Sequence, residues 1–220
     1  MYRIEKLLQL KKLYQERASG MRFCEPFAHI HSRAGVLPTP SDISSLQAMV
    51  DSCLLCELSK GANKPTLGMC ASAPKVAFIS ETPLVDAKYP SMFLGRSGEM
   101  LQKIVREVLK IKENEISLLS LLKCPPSPSL ELNPLFFNAC RPYILKQIEL
   151  LPRETILIPL GEVAYRYLSE EAGDFSLCRG VERSFFGRTM IPTFSLSYLL
   201  RNPSAKKEAY RDFLFIKSHL

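Results

Sequence analysis

No stretch of this chain is apolar for the ~18 residues that a membrane-crossing helix requires. The opening residues, MYRIEKLLQLKKLYQER, are broken by charge every few positions and so lack the apolar centre of a secretory leader. A cytoplasmic protein with no membrane partner is expected. There is no internal repeat and no low-complexity tract. Histidine is scarce, with only His29, His31 and His219. Acidic residues are the minority charge, 22 against 29 Lys and Arg, for a net charge of +7. That excess suits a polyanion such as nucleic acid, although the basic residues are dispersed rather than gathered in one tract.

What is present is a chain of 220 residues, 46% hydrophobic, enough for one domain with a sizeable core and a modest extension. Residues 1–20 have the spacing of an amphipathic helix, with Ile4, Leu7, Leu8, Leu10, Leu13 and Tyr14 near one face. Residues 23–40 carry Pro26, Gly35, Pro38 and Pro40 and read as an irregular linker. We therefore divide the chain into an N-terminal extension and linker, 1–40, and an α/β domain, 41–220. Ser41 or Asp42 is placed to cap a helix that runs toward Cys53.

From there strands and helices alternate. KVAFIS at 75–80, ISLLSLL at 116–122, TILIPL at 155–160 and TMIPTF at 189–194 read as short strands. Pro192 puts the last at an edge or makes it irregular. Helical spacing covers 97–110, 133–151, 161–167 and 203–218, with Asn133 as a cap and Pro134 in the first turn. This alternation implies a mostly parallel sheet covered on both faces. In such sheets ligands bind beyond the carboxyl ends of the strands, so the segments 81–98, 123–133 and 195–203 are where a site is expected.

The seven cysteines carry the strongest chemical signal. In a reducing compartment, clustered cysteines point to metal or redox chemistry rather than disulfides. Cys53 and Cys56 form C-x2-C near a helix end, Cys124 follows a strand, and Cys140 sits in a helix. Four thiolates suit tetrahedral zinc or an iron–sulfur cluster equally well on spacing alone. Cys24, Cys70 and Cys178 have no partner in sequence and read as small buried apolar residues.

Several motifs in order resemble those of the iron–sulfur, family 4 uracil-DNA glycosylases. That family has C-x2-C, a Gly-Glu-x-Pro-Gly loop after a strand, and Pro-Phe-Val-Gly. It then has Asn-x-x-Lys-Cys-Arg-Pro-Pro, a fourth Cys, Leu-Gly after a later strand, and His-Pro-Ser-Tyr-Leu-Leu-Arg. This chain has CLLC at 53–56, ISETPL at 79–84, MFLGRSGEML at 92–101 and SLLKCPP at 120–126. Cys140, LG at 160–161, RG at 179–180 and SLSYLLRNP at 195–203 follow. The resemblance covers roughly residues 45–217.

It implies a three-layer α/β/α sandwich around a four-stranded parallel sheet, and a 4Fe–4S cluster on Cys53, Cys56, Cys124 and Cys140. It also implies hydrolysis of the N-glycosidic bond of a uracil or other damaged base flipped out of single- or double-stranded DNA, by a monomer. By motif position, Glu81 and Ser195 are the catalytic candidates, Phe93 and Ser120 the base-binding ones, and Ser197, Leu199 and Arg201 the DNA-binding ones. Leu199 would be the wedge that fills the vacated stack.

The chain also departs from the pattern. Ser80 and Leu84 replace the glycines of the first loop, Ser120 replaces the edge-reading Asn, and Pro125 replaces an Arg. Ser195 and Leu196 replace His-Pro. A hydroxyl is a weaker electrophilic partner than imidazole, and it cannot offer the paired donor and acceptor of an amide. The alternative expectation is therefore a catalytically impaired DNA-binding relative of the same fold. A third reading is a zinc-stabilised interaction protein.

Overall fold

The computed structural model describes residues 40–60, 64–84, 95–126, 132–171 and 173–220. The expectations placed on residues 1–39, on Cys24 and on Phe93 lie outside these residues. Pro40–Leu220 form one compact unit.

The first described helix, α1 (Ile43–Asp51), starts at Asp42, whose carboxylate accepts from the Ser45 N–H at 2.8 Å while the Ser45 hydroxyl accepts from the Asp42 N–H. This reciprocal box satisfies two of the orphan donors at a helix start. After it come β1 (Val76–Ser80), α2 (Gly95–Lys103) and β2 (Ile116–Ser120). Next are α3 (Pro134–Glu149), β3 (Ile156–Pro159), α4 (Glu162–Ser169) and the short α5 (Phe175–Cys178). The chain closes with β4 (Arg183–Phe185), β5 (Arg188–Met190), α6 (Leu196–Arg201) and α7 (Lys206–Lys217). The helical spacing read at 97–110 is divided: α2 passes into a π-helical segment, Ile104–Leu109, which ends at Lys110 in the left-handed region. Asn133 caps α3, accepting from the Leu135 N–H at 2.9 Å, and Pro134 occupies the first turn.

The strands form one sheet in the order β2-β1-β3-β5-β4. The four expected strands are parallel; β4 adds an antiparallel fifth through a hairpin to β5. The last parallel strand therefore lies inside the sheet, between β3 and β4. Pro192 interrupts it, and pairing resumes only at the Leu160–Thr193 bridge.

Every residue of β1, β2 and β3 is buried, as a sheet with two covered faces requires. The period of two divides them between layers. Val76, Phe78, Ile116, Leu118, Ile156 and Ile158 pack with α2, the π-helical segment, α6 and α7. Ala77, Ile79, Leu119 and Leu157 pack with α3 and α4. This is the sheet covered on both faces that the alternation implied, and the three-layer sandwich that the family resemblance implied. Burying each large side chain such as Phe78 contributes about 1.5–3 kcal/mol.

The outer edge of β2 is bridged by residues 64–70, which return antiparallel with Met69 opposite Leu118. Gly68 makes that approach possible. It sits at φ +88°, and a Cβ there would fall 1.9 Å from the Leu118 carbonyl oxygen.

Candidate functional site

Two groups of chemically capable side chains lie beyond the carboxyl ends of the strands. The first is a cavity of about 160 Å³ lined by residues that include Glu81, Leu84, Ser97, Ser195 and Ser197. Glu81 is the first residue after β1, and its backbone oxygen accepts from the Leu122 N–H at 3.1 Å, extending the β1–β2 ladder by one rung. Its carboxylate is half-buried, and desolvation raises its pKa above the ordinary 4.5. Among the described residues it is the one titratable group in the lining. Tyr167 of α4 lies within its field. Burial first, and then the charge of Glu81, raise the pKa of the Tyr167 hydroxyl, and its ring stacks on Phe137 at 4.4 Å. No spacing in the sequence pointed to Tyr167 or to Ser97.

Ser195 reaches this cavity because Gly161 lets it. Gly161 follows β3 at φ +99°, and a Cβ there would stand 2.8 Å from the Ser195 Cβ. The Leu-Gly dipeptide is thus a close approach between two strand ends. The Ser195 hydroxyl is already engaged: it caps α6 by accepting from the Tyr198 N–H at 3.2 Å and lies 3.3 Å from the Ser197 hydroxyl.

Ser120 does not line the cavity. It is 1% exposed at the end of β2, where its hydroxyl donates to the Leu122 carbonyl at 2.6 Å. Along α6, Ser197 and Arg201 are exposed. Leu199 is 2% exposed and packs in the core; the large side chain that α6 turns outward is Tyr198, 40% exposed.

The loop carrying Ser195 is anchored from the side by Arg179, the first residue of the Arg-Gly dipeptide. Its guanidinium donates to both carboxylate oxygens of Asp212 on α7, at 2.7 and 2.9 Å. Thr193 donates to the same carboxylate at 2.8 Å. Asp212 is buried, and desolvation raises its pKa against the lowering effect of Thr193 and Arg179. The guanidinium also lies 4.5 Å from the centre of the Phe194 ring. A sequence pattern places Arg179 near the site but cannot say that it acts through an ion pair to a distant helix.

The second group is the four cysteines. Cys53 and Cys56 lie in the loop after α1 rather than on a helix, Cys124 four residues past β2, and Cys140 in α3. Cys124 and Cys140 are buried and the other two half-buried. Folding brings them into electrostatic contact. Burial, then Cys140, Cys56 and Cys53, push the Cys124 thiol up to about 12. Burial raises Cys140 as well, opposed by a hydrogen bond from the Lys123 backbone N–H. Tyr143 is raised by burial and by its hydrogen bond with Cys53. Beside them Lys123 is 1% exposed and donates to the Ser120 carbonyl at 2.6 Å and to Gln147 Oε1 at 2.7 Å. Desolvation lowers it to about 8. Gln147 in turn donates to the Cys70 sulfur at 3.1 Å, so Cys70 is a hydrogen-bonded thiol as well as a packing residue.

Among the described residues, no three His, Cys, Asp or Glu side chains converge on a point where one metal ion would sit. A single tetrahedral ion needs such convergence. A polynuclear cluster instead distributes its thiolates over several irons, so its sulfurs stand further apart.

A larger groove, about 370 Å³, runs between α2, the π-helical segment, α6 and α7. Its walls are mostly apolar, including Met100, Ile104, Leu200 and Phe213, with charged groups on the rim. The smaller cavity, with its desolvated carboxylate, is the better candidate for chemistry.

Comparison with known proteins gives a consistent result. Residues 67–216 match the family model described as the uracil DNA glycosylase superfamily. The type-4 uracil-DNA glycosylase of Saccharolobus solfataricus is 27% identical over 180 residues, covering 78% of this chain and 83% of that protein. The type-4 enzyme of Thermotoga maritima is 28% identical over 158 residues, 70% of this chain and 81% of its own. That of Sulfurisphaera tokodaii is 23% identical over 184 residues, 80% and 83% respectively.

Proposed function

Because the chain belongs to the uracil DNA glycosylase superfamily, we propose that it is a DNA glycosylase that hydrolyses the N-glycosidic bond of uracil or another damaged base flipped out of the helix. The observation that carries this reading is Glu81, a half-buried carboxylate at the carboxyl end of β1 in a cavity of about 160 Å³. As the glycosidic bond breaks, positive charge develops on the sugar and negative charge on the leaving base. A carboxylate in a partly desolvated cavity stabilises the sugar cation more than it would in water, and it can orient the attacking water. Water adds to the sugar carbon, and its proton balances the charge left on the base. Ser195 and Ser197 offer hydroxyl donors at the cavity wall, weaker than an imidazole. Arg201 supplies a cation for backbone phosphate.

In this reading Cys53, Cys56, Cys124 and Cys140 hold a 4Fe–4S cluster. The donor set fits: four thiols within each other's field, two of them buried, beside a buried lysine. When bound, the cluster supplies covalent ties between the loop after α1, the segment after β2, and α3. Residues 41–220 constitute the catalytic domain and residues 1–40 an extension. The protein works as a monomer in the cytoplasm.

One observation favours a second reading, a DNA-binding relative with impaired catalysis. The hydroxyls at the two altered motif positions are both committed, Ser195 to a helix cap and Ser120 to a buried backbone bond. The test is excision from single- and double-stranded oligonucleotides carrying uracil and other lesions, with wild type and Glu81→Gln. The glycosylase reading expects release of at least one base and a loss of about 10²–10³-fold in the variant, with DNA affinity retained. No release from any substrate, with binding intact, selects the second reading.

A further inference from the structure

Two flat groups pack against the Phe194 ring: the Arg179 guanidinium stands 4.5 Å from its centre, and Tyr198 stacks on it with centroids 5.1 Å apart and planes 15° off parallel. Arg179 cannot swing away easily, because Asp212 holds it at two points and is itself buried on α7. Phe175 closes on the edge of Phe194 at 6.5 Å. Tyr198 is the outermost layer of this stack. Phe194 takes one face of its ring, and the residue is still 40% exposed. Its backbone N–H donates to the Ser195 hydroxyl, and Ser195 and the preceding Ser197 both line the cavity that holds Glu81. Exposed cations follow it in the chain: Arg201 three residues on in α6, and Lys206 and Lys207 at the start of α7.

We propose that this stack is a base-stacking platform at the mouth of the Glu81 cavity, and that Tyr198 receives an unpaired nucleobase of the bound DNA strand. The proposal rests on the glycosylase reading for its DNA, and it replaces Leu199 as the side chain meeting the bases. Leu199 is packed against the core and would have to leave it to reach DNA. A ring held rigidly from behind offers its area with little ordering entropy still to be lost on binding. An aromatic face beside dispersed cations is the combination that binds single strands, through stacking on the base and charge on the backbone.

The two contributions separate experimentally. Charge contacts set the slope of log affinity against log salt, and stacking does not. Full-length protein is titrated with a single-stranded oligonucleotide containing 2-aminopurine, over a range of salt. Wild type quenches the 2-aminopurine fluorescence on binding. Tyr198→Leu, which keeps apolar cover on Phe194 but has no π face, is expected to bind about 5- to 150-fold more weakly with an unchanged salt slope and less quenching. Tyr198→Phe is expected to match wild type. Arg201→Ala should lower the slope by about 0.7 and keep the quenching. If Tyr198→Leu fails to fold, the wild-type quench decides, because an oligonucleotide bound without quenching at any 2-aminopurine position overturns the platform. Unchanged affinity and quenching in a folded Tyr198→Leu protein overturns it too. A wild-type chain that binds no oligonucleotide at low salt overturns the glycosylase reading, and the platform with it.

Discussion

The cysteine region and the carboxylate cavity lie at the same edge of the sheet and share a rung, since Leu122 donates to the Glu81 carbonyl two residues before Cys124. They differ in how much each asks of its surroundings. At the cysteines all four thiols of the family motif are present, and folding brings Cys53, Cys56 and Cys140 within the electrostatic field of Cys124. A thiolate centre needs soft donors within reach, and side chains brought together by a core meet that need. At the cavity the carboxylate remains, but its expected partners are serines whose hydroxyls serve the backbone. Transition-state stabilisation needs donors aimed at one developing charge, and a single committed hydroxyl loses that aim. On the proposed reading, the centre that would tie the fold together keeps its four ligands, while the centre that would perform the chemistry has been altered.

The sharpest way to break the comparison is at the cysteines. Cys124→Ser and Cys140→Ser should each lose bound iron and destabilise the protein by more than about 4 kcal/mol, as loss of a structural metal centre does. Iron content and thermal unfolding measure this. Cys70→Ser and Cys178→Ser should retain iron, and at position 70 a hydroxyl can still accept from Gln147. Full iron in Cys140→Ser would dissolve the four-ligand assignment and with it the contrast between the regions.

The two altered motif positions should respond differently to restoration. Ser120→Asn adds volume at a 1% exposed site and should cost roughly 1–3 kcal/mol in denaturant unfolding. Ser195→His loses the α6 cap, at about 1 kcal/mol, but places an imidazole at the cavity wall. Uracil release should therefore rise in Ser195→His and not in Ser120→Asn. A gain from Ser120→Asn alone would mean that position 120 reads the base after all.

The smallest effect concerns Glu81 and pH. Its folded pKa lies above the ordinary 4.5 because of burial. Between those two values the folded chain holds a proton that the unfolded chain has released. Stability from this group is therefore full below 4.5 and is lost as pH rises through the folded pKa. Glu81→Gln should match wild type in melting temperature below that window and exceed it slightly at neutral pH. On the glycosylase reading excision needs the ionised form, so its acid limb should lie above 4.5. A variant less stable than wild type at neutral pH would show that the carboxylate is a structural group.

Much of this molecule could be read from the chain alone. Strand and helix periods, a cap at Ser41 or Asp42 and another at Asn133, and the motifs from Cys53 to Arg201 are local or ordered along the sequence, and local signals survive without knowledge of neighbours. The parallel sheet followed from alternation, because a helix between strands returns the chain in the same direction. Packing decided the rest. The order β2-β1-β3-β5-β4, the hairpin that adds β4, and the π-helical turn after α2 arise from contacts between distant segments. So do the burial of Ser120, the approach of Gly161 to Ser195, and the hold of Asp212 on Arg179. Leu199 and Tyr198 are neighbours in one motif, and nothing in the motif says which faces inward. The core behind α6 settles it by taking the leucine and leaving the tyrosine, stacked on Phe194, at the surface.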